Sequence, residues 1–381
     1  MIMKKVLSLF LSVIFISGLL CLFVNAEFTG ELDCRSAILI EASTMTVLYE
    51  KNADTPYPPA SVTKIMTLLL TAEAIDGGRA TLSDTVTASN KASKMGGSQV
   101  YLKAGEQMSM SDMIKSVAVA SANDCAVALA EHISGSEESF VAKMNQRASE
   151  LGMKNTHFEN VTGLDDTVKN HVTSARDIAI MSAELLKHKF IFDYTTIWMD
   201  TIRNGAFGLT NTNRLIRFYK GANGLKTGMT AKAGFCISAA AERGDMQLIA
   251  VIMGSPNRDV RNAAASKLLD YGFANYGLYR VDGAELPPVK LTGGVGRELK
   301  IKHGDFTALL PAADIKSVTY ETEIPECVAA PVKSGDVIGK IEFFSNGKPI
   351  GQTDITAFED AGKIGFKDMF KKLLSKFLMI K

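Results

Sequence analysis

The stretch Pro59-Ala60-Ser61-Val62-Thr63-Lys64-Ile65-Met66-Thr67 stands where an extended chain turns into a helix, and its reading decides the fold. Pro58 and Pro59 stop the segment before it. The run 61–75 then shows helical apolar spacing at Ile65, Leu68, Leu69 and Ala72 until Gly77-Gly78 ends it. Ser61 and Lys64 are three positions apart, so a helix sets them on one face with the amine in reach of the hydroxyl. A serine hydroxyl is a weak nucleophile until a base takes its proton. A lysine serves as that base when burial or a second cation lowers its pKa from about 10.4. A fall of about 3 units corresponds to roughly 4 kcal/mol, which demands a water-poor, well-packed cleft.

Upstream, 35–41 and 46–50 read as two strands joined at Ala42-Ser43-Thr44, a hairpin that opens a sheet. Downstream, helices are predicted over 109–119, 123–133, 139–151 and 173–188, the last capped by Thr173 or Ser174. Strands follow at 224–229, 235–242 and 246–253, then a helix over 259–276. Strands, a helical insertion, more strands and a closing helix describe an α/β (α+β) domain: an antiparallel sheet covered by helices, with an all-helical lobe to one side. A cleft between the lobes is the natural site. Composition changes at Leu286-Pro287-Pro288, after which short alternating segments and the Asn346-Gly347 turn predict a small all-β C-terminal domain.

Two further motifs follow the first: Ser121-Ala122-Asn123 and Lys226-Thr227-Gly228. Each is weak alone, and the chain carries decoys in Ser345-Asn346-Gly347-Lys348 and Ser255-Pro256-Asn257. Context separates them: Ser61 opens an apolar helix, Ser121 lies between helices, and Lys226 lies on a strand opposite both. Ser121 can relay a proton between Lys64 and a leaving amine, while Asn123 can hold a substrate carbonyl or Lys64 itself. Lys226 is the candidate second cation, and with Thr227 it suits a substrate ending in a free carboxylate. Gly228 lets substrate lie against the strand, and the backbone N–H groups of Ser61 and Met229 can form an oxyanion hole.

The chain of 381 residues is 46% apolar and 22% charged, which places it among globular proteins with room for two domains. Its net charge of +1 hides basic ends and an acidic body, so a nucleic-acid-binding face is not expected. Lys4 and Lys5, the apolar run 6–24 and small residues before position 27 have the layout of a secretory signal peptide, with an uncleaved anchor helix as the alternative. Cys34, Cys125, Cys236 and Cys327 are too scattered for a zinc motif, though one disulfide is possible in an extracytoplasmic chain. At the far end, Phe366, Met369, Phe370, Leu373, Leu374, Phe377 and Ile380 share one helical face among Lys367, Lys371, Lys372 and Lys376. Such a basic amphipathic helix suits an anionic membrane surface; the other reading is a helix docked on the protein's own body. The expected organisation is therefore a signal peptide (1–26), a catalytic domain (27–284), a β-rich domain (285–358) and an amphipathic anchoring helix (359–381).

With the three motifs, Gly163-Leu164-Asp165, Ser174-Ala175-Arg176-Asp177 and Gly224-Leu225 in one chain, the sequence closely resembles the low-molecular-mass penicillin-binding proteins that are serine-type D-Ala-D-Ala carboxypeptidases. The resemblance implies a serine β-lactamase/transpeptidase-like catalytic domain. It also implies a penicillin-sensitive acyl-enzyme on Ser61, no metal or other cofactor, and peptidoglycan stem peptides ending in D-Ala-D-Ala as substrate. β-Lactams are the implied covalent inhibitors. The implied location is extracytoplasmic, with the β-rich domain holding the catalytic domain away from the membrane. Arg261 matches a family arginine that helps bind the terminal carboxylate; neighbouring Arg258 competes for that role, and a plain surface arginine is the other reading. Met229 stands where some relatives have histidine. Two alternatives remain: a class A-like β-lactamase, for which Glu159 is the nearest deacylating glutamate, and a non-catalytic wall-binding scaffold.

Overall fold

The computed structural model describes residues 28–166 and 168–377, and the elements below lie in the unit Leu32–Lys381. The segment 1–26, expected to be a signal peptide, and Ile380 lie outside the described residues. Strands β1 (Ser36–Glu41) and β2 (Val47–Lys51) form the expected antiparallel hairpin. Helix α1 (Lys64–Asp76) follows, then α2 (Met110–Ala120), α3 (Asn123–Ser134), α4 (Glu137–Glu150) and α5 (Ala175–Leu185). Strands β3 (Ala222–Thr230), β4 (Gly234–Arg243) and β5 (Met246–Ser255) return the chain to the sheet before α6 (Arg258–Asn275). The strand order is β2-β1-β5-β4-β3, with every pair antiparallel.

Every residue of β1 is buried, which requires cover on both faces. Leu39 points to one face, where it packs with Leu248 close to Gly272 of α6. Ile38 and Ile40 point to the other, beside Ala179 and Ile180 of α5. Helix α1 buries apolar side chains all around its circumference, including Ile65, Met66, Leu68, Leu69 and Leu70, and is the core of the helical lobe. Ser109, Ser136 and Ser174 cap α2, α4 and α5 with side-chain oxygens, and Asn257, part of a decoy motif, caps α6.

Two local features differ from expectation. The helix expected from position 61 starts as a 3-10 turn, Ala60–Thr63, and becomes α-helical only at Lys64. In a 3-10 turn positions i and i+3 eclipse, so the pairing of Ser61 with Lys64 survives the change. Two short hairpins, Thr85–Thr87 with Gln107–Ser109 and Met199–Ile202 with Phe207–Thr210, carry too few alternating residues to stand out in the sequence.

Beyond α6, Tyr276–Val281 pairs with Phe306–Pro311. A six-stranded sheet follows, ordered Val318–Glu323, Val337–Ser345, Lys348–Ala357, Glu298–His303, Glu285–Thr292, Cys327–Ala329. It has its own core of Leu291, Leu299, Ile301, Ile341 and Ile355, with Phe306 and Phe343 stacked 4.1 Å apart. The decoy at 345–348 is a two-residue hairpin turn, Asn346 and Gly347 both having positive φ. Helix Phe366–Phe377 ends the described chain.

Candidate active site

Lys64 is completely buried, and its Nζ lies 2.9 Å from Ser61 Oγ and 2.9 Å from the Thr162 carbonyl oxygen. Burial, followed by the Lys226 ammonium, pushes the Lys64 amine well below its ordinary value, and Asp124 opposes the shift. A neutral amine in this position donates to Thr162 and presents its lone pair to the Ser61 hydroxyl.

The turn carrying Ser61 is held from behind. Ala60 has φ +48°, unusual for a residue with a side chain. Its carbonyl accepts from Thr63 Oγ1 at 2.9 Å, and Thr63 Oγ1 lies 2.8 Å from Nε2 of buried His171. The Glu159 backbone N–H donates to His171 Nδ1 at 3.0 Å, so the ring's proton sits on Nε2 and points at Thr63. Gly163 is packed so tightly under this turn that a Cβ there would fall 1.8 Å from the Ala60 oxygen.

Ser121 joins α2 to α3 in the left-handed region, at φ +63°. Its Oγ and the Asn123 Oδ1 are buried and have no hydrogen-bond partner among the described residues. Asn123 does not hold Lys64: its amide donates to the Gly96 carbonyl at 2.7 Å, and Thr162 fills that role instead. Asp124 accepts from the N–H groups of Val100, Leu102 and Cys125, fixing the loop that borders Asn123.

Across the cleft, β3 presents Lys226, Thr227 and Gly228. Lys226 is buried, donates to the Thr227 carbonyl at 3.1 Å, and is pushed down to about 7, by burial first and Arg261 second. Thr227 Oγ1 donates to Thr212 Oγ1 at 2.8 Å. A Cβ on Gly228 would fall 2.9 Å from the Ser61 nitrogen and 2.8 Å from the Pro59 oxygen, so only glycine lets the strand approach the nucleophile this closely. Met229 turns its side chain outward, 58% exposed. Arg261 is buried rather than a plain surface arginine; it donates to the Cys236 carbonyl and to Asn262 Oδ1. Ser61, Ser121, Thr227, Gly228, Met229 and Arg261 share a cleft of about 730 Å³ that no carboxylate lines among the described residues. Thr162 and His171 behind Lys64, and Trp198, Thr212, Arg214 and Phe218 along the cleft, carry no spacing pattern that would have marked them in the sequence.

The four described cysteines are free, Cys34, Cys125 and Cys236 being buried and Cys327 exposed. Glu159 is an exposed residue whose carboxylate accepts from the backbone N–H groups of Lys169 and Asn170.

Residues 24–257 match the D-alanyl-D-alanine carboxypeptidase family (Peptidase_S11), and residues 289–363 match the C-terminal domain of penicillin-binding protein 5. The chain belongs to this family of serine hydrolases, the low-molecular-mass penicillin-binding proteins. It is 41% identical to D-alanyl-D-alanine carboxypeptidase DacF of Bacillus subtilis over 93% of this chain and 92% of that one. It is 33% identical to DacC of Escherichia coli over 92% and 91%. The solved structure of penicillin-binding protein 5 from Haemophilus influenzae superimposes with a TM-score of 0.77 at 30% identity, covering 88% of this chain and 99% of that one.

Proposed function

We propose that this chain removes the terminal D-alanine from peptidoglycan stem peptides ending in D-Ala-D-Ala, through an acyl-enzyme on Ser61. The observation that carries the reading is the buried Lys64 amine 2.9 Å from the Ser61 hydroxyl, facing Lys226 across a cleft that no carboxylate lines among the described residues. The Ser61 oxygen attacks the penultimate D-Ala carbonyl while the Lys64 amine takes its proton. The N–H groups of Ser61 and Met229 receive the oxyanion. Ser121, whose Oγ is unpaired in the free site, passes the proton to the departing amine, and Asn123 offers its free Oδ1 to the substrate backbone. Lys226, Thr227 and Arg261 hold the terminal carboxylate. Water then hydrolyses the ester. β-Lactams acylate the same oxygen.

Residues 27–284 serve as the catalytic domain, 285–358 as the β-rich domain, and 359–381 as the amphipathic anchor of an extracytoplasmic protein delivered by a signal peptide. Support for the anchor comes from Phe366, Met369, Phe370, Leu373, Leu374 and Phe377, all exposed on the last described helix. No helix among the described residues is long and apolar enough to cross a membrane. The test of catalysis is D-alanine release from a peptide ending in D-Ala-D-Ala. Native protein is expected to release it and Ser61→Ala to fall by at least about 1,000-fold; no release by native protein supports the scaffold reading instead.

A further inference from the structure

We infer that the cleft contains a subsite for the side chain of the leaving residue, built from Trp198, Phe218 and Arg214, and that this enzyme releases D-residues larger than alanine when their side chains end in a carboxylate or amide. The inference rests on the proposed chemistry at Ser61, which fixes the direction of the substrate. Gly228 lies against the Ser61 nitrogen, Thr227 bonds Thr212, and the Gly224 carbonyl accepts from Asn213 Nδ2 at 3.1 Å. Residues 212–214 therefore run along β3 away from the nucleophile. They pass the point where Lys226 and Thr227 receive the terminal carboxylate and continue beyond it, on the leaving side of the scissile bond.

A D-Ala methyl group uses none of this space. Trp198 and Phe218 line it, their rings edge to face at 6.2 Å, and Phe218 is 72% exposed. Trp198 Nε1 is buried and has no acceptor among the described residues, leaving a donor in the wall. Arg214 also lines the cleft, and neither Arg214 nor neighbouring Arg258 has an ion-pair partner among the described residues. Arg217 stacks on both aromatic rings at 5.5 Å and adds positive charge. An aromatic shelf with an orphan N–H and an unpaired guanidinium matches an aliphatic stem ending in an acceptor and disfavours one ending in an ammonium.

In the reaction Ser61 Oγ forms an ester with the D-Ala carbonyl carbon as the amide C–N bond breaks. The larger residue departs as the free amine, carrying the serine proton, and water hydrolyses the ester, returning a proton to Ser61. The experiment measures kcat/KM of the full chain on acyl peptides ending in D-Ala-X, with X as D-Ala, D-Glu, D-Gln or D-Lys. D-Glu is expected to be released about tenfold faster than D-Lys. That ratio should shrink towards unity in Arg214→Gln and be retained in Arg214→Lys. Trp198→Phe, which removes the N–H together with part of the ring, should lower D-Gln relative to D-Ala. Acylation by benzylpenicillin reports that each variant is folded; if Arg214→Gln does not acylate, the native series and Arg214→Lys decide. Release of D-Ala with D-Glu no faster than D-Lys overturns the subsite and leaves the carboxypeptidase standing. Absence of both D-Ala release and acylation by benzylpenicillin removes the reading on which the subsite rests.

Discussion

At Gly228 a missing side chain governs the distance between two catalytic elements. A methyl group there meets the Pro59 oxygen and the Ser61 nitrogen below 3.0 Å, and both are backbone atoms that move only with the whole turn. Gly228→Ala should therefore slow D-alanine release and benzylpenicillin acylation together by about 100-fold, because it displaces the strand that carries the oxyanion N–H. His171 acts one layer further back. Burial holds its pKa down to about 4, against 6.5 for an ordinary histidine. The facing groups are Glu159, His157, Asp165 and Lys64, of which the two carboxylates oppose the shift and the other two add to it. A base with a depressed folded-state pKa leaves the unfolded chain binding more protons between these values. Its contribution is intact above about pH 6.5 and is lost as pH falls to about 4, a change of about 3 kcal/mol. Denaturant unfolding across this range should show that slope, and His171→Asn should flatten it.

Among the elements, the last described helix is exceptional in what it leaves uncovered. Six large apolar side chains from Phe366 to Phe377 are each between 47% and 86% exposed, whereas α1 buries nearly all of its own. Burying such side chains in the interface yields about 1.5 to 3 kcal/mol each at best, and the lysines of this segment add attraction to anionic lipid. The double variant Phe370→Asp, Leu374→Asp should lose binding to phosphatidylglycerol vesicles by at least about tenfold in a co-sedimentation assay. Release of D-alanine from a soluble peptide should continue at the native rate, since neither residue belongs to the cleft.

For the whole molecule, the fate of the acyl-enzyme separates a carboxypeptidase from a β-lactamase. Fast penicilloyl hydrolysis needs a base aimed at the ester, and Glu159 is committed elsewhere: it is exposed, and backbone N–H groups led by Asn170 hold its carboxyl below the usual range. The adduct on Ser61 is expected to persist for minutes or longer when followed by intact-protein mass spectrometry, and turnover within seconds would refute the assignment. The two sheets divide the remaining work. The first carries Lys226 on β3, and the second, with its own apolar core, lies in the chain between that sheet and the terminal helix.

Local pattern was enough for the main strands and helices and for nominating Ser61 and Lys64, because strand alternation, helical spacing and the interval between these two residues depend on neighbours a few residues away. The order β2-β1-β5-β4-β3, the eclipsed 3-10 start of the catalytic turn and the exchange of Asn123 for Thr162 as the partner of Lys64 had no such marker. The same holds for His171 behind Thr63, and for Trp198 and Arg214 in the cleft. Each of these depends on atoms about 100 or more positions apart or on a backbone carbonyl, which every residue possesses and no spacing reveals. Packing alone brings such groups together, and packing also removes the water that would otherwise hold the Lys64 amine at its ordinary pKa.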